Sequence, residues 1–330
     1  MHQVDFILAQ IPRLHALVIG DICLDRWCTY DPALAEPSRE TGIPRTAVVS
    51  GVNTPGAGGT VANNLVSLGA GGVSVLGVIG DDGHGWELRR ALTAGRIASD
   101  RVVISPRIQT FTYTKLLRAA DAEEDLPRID FINTRPLPEP DEQALLAQLP
   151  DAVAAHDVIL VSDQAETDAG GVVTAAVREA LCRLALQYPD KVFWVDSRRR
   201  PELYRHCIVK PNEDEAHAAL MRLGRDGGYA ALREVTASPF LPVTHGSKGV
   251  LLIEADGGET WVPAVPVANP VDICGAGDSF SAGAALAYAL TQDPVAAARF
   301  GNAVASVTIQ QKGTGSASPA QVRVAAALLP

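Results

Sequence analysis

The sequence is organised by short apolar runs that stop at or beside an aspartate: "HALVIGD", "GVSVLGVIGDD", "DVILVSD" and "KVFWVDS", with two further runs at "FLPVTHG" and "GVLLIEA". Runs this short, bounded by turn residues and without polar alternation, suit strands buried on both faces. Between them lie Ala/Leu-rich segments of helical period, among them "TVANNLVSLGA", "GWELRRALTA", "EQALLAQLPDAVAAH", "GGVVTAAVREALCRLALQ" and "PVAAARFGNAVASVTIQ". The alternation predicts a doubly wound α/β fold over 1–330 as one domain, a mostly parallel sheet with helices on both faces. Such sheets bind ligands beyond the C-terminal ends of their strands, where these aspartates fall.

Two segments break the rhythm. Residues 42–55 ("GIPRTAVVSGVNTP") and 107–134 ("RIQTFTYTKLLRAADAEEDLPRIDFINT") are rich in β-branched residues and lack a long helix between strands. They are expected to form a small β-sheet lid, which is also a candidate homodimer clasp. The Pro-rich acidic stretch "TRPLPEPDE" reads as the loop returning from lid to core.

A net charge of −10 excludes nucleic-acid backbones and anionic membrane surfaces as main partners, since both require a basic footprint. Five scattered cysteines without a C-x-x-C pair suggest neither a disulfide framework nor a zinc site, as expected of a cytoplasmic protein. No leader and no membrane span is expected, because no apolar run approaches the ~18 residues a span requires.

The densest chemistry lies in "VDICGAGDSFSAG". Gly275 and Gly277 give the backbone freedom, and a helix starting near Asp278 would point unpaired N–H groups at whatever sits above the turn. A phosphoryl group suits that place. By itself, Asp278 is equally a helix cap.

The segment Asp272 to Gly283 resembles the C-terminal signature D-T-x-G-A-G-D, followed by F-x-x-G, of the ribokinase family, the PfkB-type carbohydrate kinases. The resemblance implies a ribokinase-like fold, ATP as co-substrate, Mg²⁺ and K⁺. It makes Asp278 the base that takes the proton of a sugar hydroxyl, and the amides of Gly275, Ala276 and Gly277 an anion hole. Asp272, Cys274 through its backbone, and Gly313 fall in the family's monovalent-cation site. In "VIGDICLDRW", Asp25 corresponds to the terminal Asp of the first strand, which binds sugar hydroxyls. "TPGAGGTVANNLVSLGA" is similar to the N-terminal signature and supplies Gly56, Gly58 and Gly59. Gapless counting back from Leu68-Gly69-Ala70 puts Thr60 at the sugar-binding Asn position and is preferred; counting forward from Gly58-Gly59 selects Asn63. "KPNEDEA" carries N-x-x-E, so Asn212 and Glu215 would order Mg²⁺ through water. Thr244, Gly246 and Gly249 in "VTHGSKG", with Asn302, would line the nucleotide side. Neither a P-loop nor a dinucleotide fingerprint occurs.

"GDICLDRW", "YTKLLR", "PRIDF" and "VSDQAE" most resemble the heptose 7-phosphate kinase branch, without a nucleotidyltransferase half expected after residue 330. Lys115, Arg118 and Arg128 on the expected lid would surround a sugar phosphate. Pairing with Asp121, Glu123 or Asp130 is the alternative role. Arg198, Arg199 and Arg200 could reach phosphates, although a solvated basic run is the preferred reading. Glu166 and Thr167 depart from the Lys and Gly of the heptose kinases, and a carboxylate there would repel a phosphate. A neutral sugar or polyol therefore remains an alternative substrate, and a catalytically silent sugar- or nucleotide-binding relative an alternative class.

Overall fold

The computed structural model describes residues 3–167 and 169–329. Along the chain, α1 (Gln3–Gln10) leads into β1 (His15–Gly20), β2 (Ile22–Tyr30), β3 (Val48–Ala57), α2 (Gly58–Ser67), β4 (Gly72–Leu76), β5 (Val78–Gly80) and α3 (Gly83–Ala94). There follow β6 (Val103–Ser105), β7 (Thr112–Arg118), β8 (Ile129–Phe131), α4 (Glu139–Ala154), β9 (Val158–Asp163), α5 (Ala175–Gln187), β10 (Val192–Ser197) and β11 (Ile208–Val209). The last part holds α6 (Glu213–Leu223), α7 (Gly228–Thr236), β12 (Leu241–Thr244), β13 (Gly249–Ile253), β14 (Glu259–Pro263), α8 (Ala276–Thr291), α9 (Pro294–Thr308) and α10 (Pro319–Ala326).

The core is a five-stranded sheet in the order β11-β10-β9-β1-β4, parallel at every junction. Period-two alternation sorts its side chains into two cores. Ala16, Val18, Val158, Leu160, Val192 and Trp194 pack with α1, α2, α8 and α9 on one face. Leu17, Ile19, Ile159, Val161, Phe193 and Val195 pack with α4, α5, α6 and α7 on the other. This two-sided burial explains the unbroken apolar runs. An antiparallel β12-β13-β14 sheet adjoins the core near β11, where Asn212 bridges Thr244.

The second sheet has the order β3-β2-β7-β8. Its principal strand, β2, continues the run that begins with β1, so "VIGDICLDRW" is two strands and not one. The break falls at Gly20, whose φ of +125° only glycine takes readily, and at Asp21. Asp25 is thus carried by the lid and does not end the first core strand. "TRPLPEPDE" is only partly a loop: its last acidic residues open α4, where carboxylates favour the positive helix end.

Candidate active site

The loops that follow β9 and β10, the turn into α8 and one face of the second sheet enclose a cavity of about 190 Å³. Asp25, Thr60, Lys115, Arg128, Cys274, Gly275 and Asp278 line it, together with Arg198, expected in a solvated basic run, and with Arg26, Trp27, Ala57, Tyr113, Gln164 and Thr314, whose positions the sequence did not single out.

Local geometry fixes each of these. Gly275 precedes α8 in a left-handed conformation (φ +76°), turning the chain so that the helix starts at Ala276. The Ser279 N–H closes back on the Gly275 carbonyl at 2.9 Å. Among the described residues the amides of Gly275, Gly277 and Asp278 have no backbone acceptor, whereas Ala276 donates to the Ile273 carbonyl at 3.2 Å. The expected hole of Gly275, Ala276 and Gly277 is therefore altered: Ala276 is engaged in closing the turn, and the Asp278 N–H is the further open donor.

Burial raises the Asp278 carboxyl to about 8, with nearby Asp196 adding repulsion and Lys210 opposing it. Asp25 is lifted by burial to about 6, against the thiol of Cys23, which donates to its Oδ1 at 3.6 Å, and the charges of Lys115 and Arg128. Both groups thus gain affinity for protons relative to an exposed carboxylate. Gly56 lies opposite: a Cβ there would stand 2.4 Å from the Asp25 carboxylate, so only glycine leaves it room.

Beneath the turn, the Lys210 Nζ meets Asp196 Oδ2 at 2.9 Å, with the two residues only 3% and 8% exposed. Burial works against the Lys210 charge, but Asp196, Glu215 and Asp278 outweigh it and raise its pKa. The sequence signal existed: Asp196 ends an apolar run, and Lys210 stands two residues before Asn212.

Asp21 closes the rear of the site. Its carboxylate accepts the backbone N–H groups of Gln164, Ala165 and Val172 at 2.8–2.9 Å, fixing the loop after β9.

Other expected residues fall into groups. Gly58 and Gly59 begin α2 behind the cavity, where a Cβ on Gly59 would approach Pro55 within 2.4 Å. Asn63 does not line the cavity; its Oδ1 faces Gly95 after α3, while Thr60 does line it. Arg118 is likewise excluded. Alternation along β7 directs Tyr113 and Lys115 to the cavity and Arg118 to the opposite face, where it pairs with Asp121, Glu123 and Asp125. Asn212 and Glu215 form a reciprocal capping box on α6, and burial followed by repulsion from Asp196 raises the Glu215 pKa. Asn302 holds β14, donating to the Pro263 carbonyl at 2.9 Å. Gly246 and Gly249 take positive φ around the turn after Thr244. Asp272 accepts the Cys274 and Gly313 N–H groups, one on each oxygen, tying the loop before α8 to residue 313. Arg200 is not a solvated cation: it pairs with the buried Asp163 at 2.9 Å.

A second cleft of about 810 Å³ runs between residues 265–269, α9 and α10, lined by Val265, Val267, Ser306, Val307, Gln310 and Val324 among others. Among the described residues no group of three or more His, Cys, Asp or Glu is placed to hold a metal ion, and no helix is long and apolar enough to cross a membrane.

Residues 15–321 match the family model described as pfkB family carbohydrate kinase. The chain is similar to the bifunctional protein HldE of Pelobacter propionicus (28% identical, covering 98% of this chain and 66% of that protein). It is also similar to that of Azorhizobium caulinodans (30% identical, 96% and 65%). The chain thus spans just under two thirds of those relatives. Among solved structures, phosphofructokinase-2 from Escherichia coli in complex with potassium superposes with a TM-score of 0.71 at 19% identity, covering 95% of this chain and 98% of that one. Arabidopsis thaliana ribokinase complexed with ribose and ATP gives a TM-score of 0.66 at 19% identity, with the same coverages. The fold is ribokinase-like.

Proposed function

The chain belongs to the pfkB family of carbohydrate kinases, and on that premise we propose that it transfers the γ-phosphoryl group of ATP to a hydroxyl of a sugar phosphate, with heptose 7-phosphate the substrate suggested by its sequence motifs. The observation that carries this reading is the cavity itself: Asp278 and Asp25 face it together with four cations, Arg26, Lys115, Arg128 and Arg198. A carboxylate raised to about 8 is a competent acceptor for a hydroxyl proton, and a surplus of cations suits an anionic substrate.

In this reading Asp25 and Thr60 hold the sugar hydroxyls. Asp278 takes the proton of the reacting hydroxyl, and the open amides of the turn, with Lys210 beneath, bind the transferred group. The second cleft receives the adenine end of ATP, and Thr244, Gly246 and Gly249 border the path of its phosphates. Phosphoryl transfer rests on positioning and charge stabilisation, which these groups supply.

The donor set around Lys210 fits a water-mediated Mg²⁺: Asn212 and Glu215 offer hard oxygens, yet no protein cage exists among the described residues. When bound, Mg²⁺ neutralises phosphate charge. The Asp272-tied loops, with the Cys274 backbone and Gly313, fit a monovalent cation such as K⁺ beside the turn. The lid's edge strand β3 exposes Val48, Val49 and Val52, apolar residues suited to a second copy of the chain.

One observation favours a neutral sugar or polyol instead. Each cavity cation has a carboxylate outside the cavity: Arg26 with Glu87 (3.8 Å), Lys115 with Glu124 (3.2 Å), Arg128 with Asp130 (2.7 Å) and Arg198 with Glu166 (2.8 Å).

A coupled assay for ADP release over paired sugars and sugar phosphates tests both readings. Turnover confined to phosphorylated sugars is expected. Tight sugar or ATP binding without any turnover would identify a sensor and overturn the proposal.

A further inference from the structure

Of the four carboxylates that accompany the cavity cations, Glu166 is held differently. Asp130 lies two residues from Arg128 in the lid and holds it through three hydrogen bonds, and Glu124 belongs to the lid with Lys115. Glu166 stands on the core, in the loop after β9, immediately beyond the Gln164 and Ala165 amides that Asp21 fixes. Its backbone carbonyl accepts from the Arg199 guanidinium, so the position of its Cα is defined from both sides.

From there its Oε1 reaches the Arg198 Nη1 at 2.8 Å. Arg198 lines the cavity and Glu166 does not. The Glu166 charge is also felt across the gap by Tyr113 and Arg128 on the lid, and that of Arg198 by Asp278 and Glu215 on the core. Glu166 therefore sits at the seam between the core cation and the lid cation that would share an anionic substituent of the substrate.

We propose that Glu166 is a specificity-determining residue: its carboxylate occupies Arg198 as an internal competitor of the substrate's phosphate and gives the guanidinium up when a phosphorylated sugar enters. This rests on the reading of the cavity as the sugar site. Both side chains of the pair are about half exposed (51% and 54%), so the contact is weak enough to exchange. A phosphate offers Arg198 two parallel charge-assisted hydrogen bonds, against the single close contact made by Glu166. Exchange costs a sugar phosphate part of its affinity and costs a neutral sugar nothing. Glu166 thus sets how strongly the cavity prefers phosphorylated over plain sugars without touching the reacting atoms.

The test compares wild type, Glu166→Gln, Arg198→Gln and the double variant on one sugar with and without its phosphate. Glu166→Gln should lower KM for the sugar phosphate about two- to five-fold, the range of an exposed ion pair, with kcat and the KM of the plain sugar unchanged. In the Arg198→Gln background the same change should do nothing. An equal shift for both sugars, or a KM that rises for the phosphate, would overturn the proposal and make Glu166 a prop for the loop. Competition by inorganic phosphate against a fluorescent nucleotide-free titration of the sugar gives the same comparison without turnover: tighter phosphate binding by Glu166→Gln supports the competitor role, and unchanged binding sinks it. Absence of turnover on every sugar would count against the kinase reading alone.

Discussion

The Lys210 ammonium lies 2.9 Å from Asp196 Oδ2 in a nearly closed environment, and a Cβ placed on Gly277 would come 3.7 Å from its Nζ. One buried ion pair therefore underlies both the anion-binding turn and the neighbouring Asp278, whose proton affinity Asp196 raises and Lys210 lowers. Replacing Lys210 with Met leaves Asp196 buried without its cation. The expected loss is ~3–5 kcal/mol in urea unfolding. The same variant removes a charge that restrains Asp278, so the pH at which activity rises should move upward.

Asp278 must be ionised to accept a proton, and its pKa is about 8. In the free enzyme kcat/KM should climb with pH up to that region and level off above it. Asp278→Asn should cost ~10²–10⁴-fold in kcat, measured with saturating ATP and sugar. Turnover that survives the substitution would remove Asp278 from the role of base.

The same raised carboxyl has a stability signature of definite sign. Between the ordinary value of 3.8 and about 8 the folded chain binds more protons at Asp278 than the unfolded chain, so stability falls as pH rises through that window. Asp21 and Asp25, both at about 6, add to the slope at its lower end. Urea midpoints at pH 5 and pH 8 should show wild type losing stability, and Asp278→Asn losing less.

Gly56→Ala inserts a methyl 2.4 Å from the Asp25 carboxylate. Asp25 must rotate away, and under the role proposed for it the sugar would lose a hydroxyl anchor. KM for the sugar should rise at least ~10-fold, the scale of one charged hydrogen bond, while KM for ATP stays constant.

Val52→Asp places a charge on the exposed lid patch, where Val52 is 62% accessible. Light scattering should find a dimer for wild type and a monomer for the variant. A wild-type monomer would exclude the lid clasp.

The architecture was legible because strands buried on both faces leave unbroken apolar runs, as in "DVILVSD" and "KVFWVDS". The boundary at Gly20 was not, since β2 opens on the apolar residues Ile22, Cys23 and Leu24 and only the Gly20 backbone angle and Asp21 separate it from β1. In the site, the glycine turn was legible from its own residues. Lys210 and Asp196 were not paired in advance because they meet only through the adjacency of β10 and β11, a relation that spacing does not encode. Arg118 was misplaced for the converse reason: its charge was visible, but which face of β7 it takes depends on register.

Trp27 extends from lid strand β2 into the cavity wall, with the Lys115 ammonium 4.9 Å from its ring centroid and residue 313 of the core so close that a Cβ there would lie 3.2 Å from Cζ2. The indole is thus a fluorophore wedged between the two sheets' territories, next to a charge that perturbs its emission. Trp194 sits in the core, and Trp86 and Trp261 are exposed and do not line the cavity. Any movement of the second sheet over a ligand would change the surroundings of this indole, so Trp27 emission offers an optical test of lid closure before any phosphoryl group has moved.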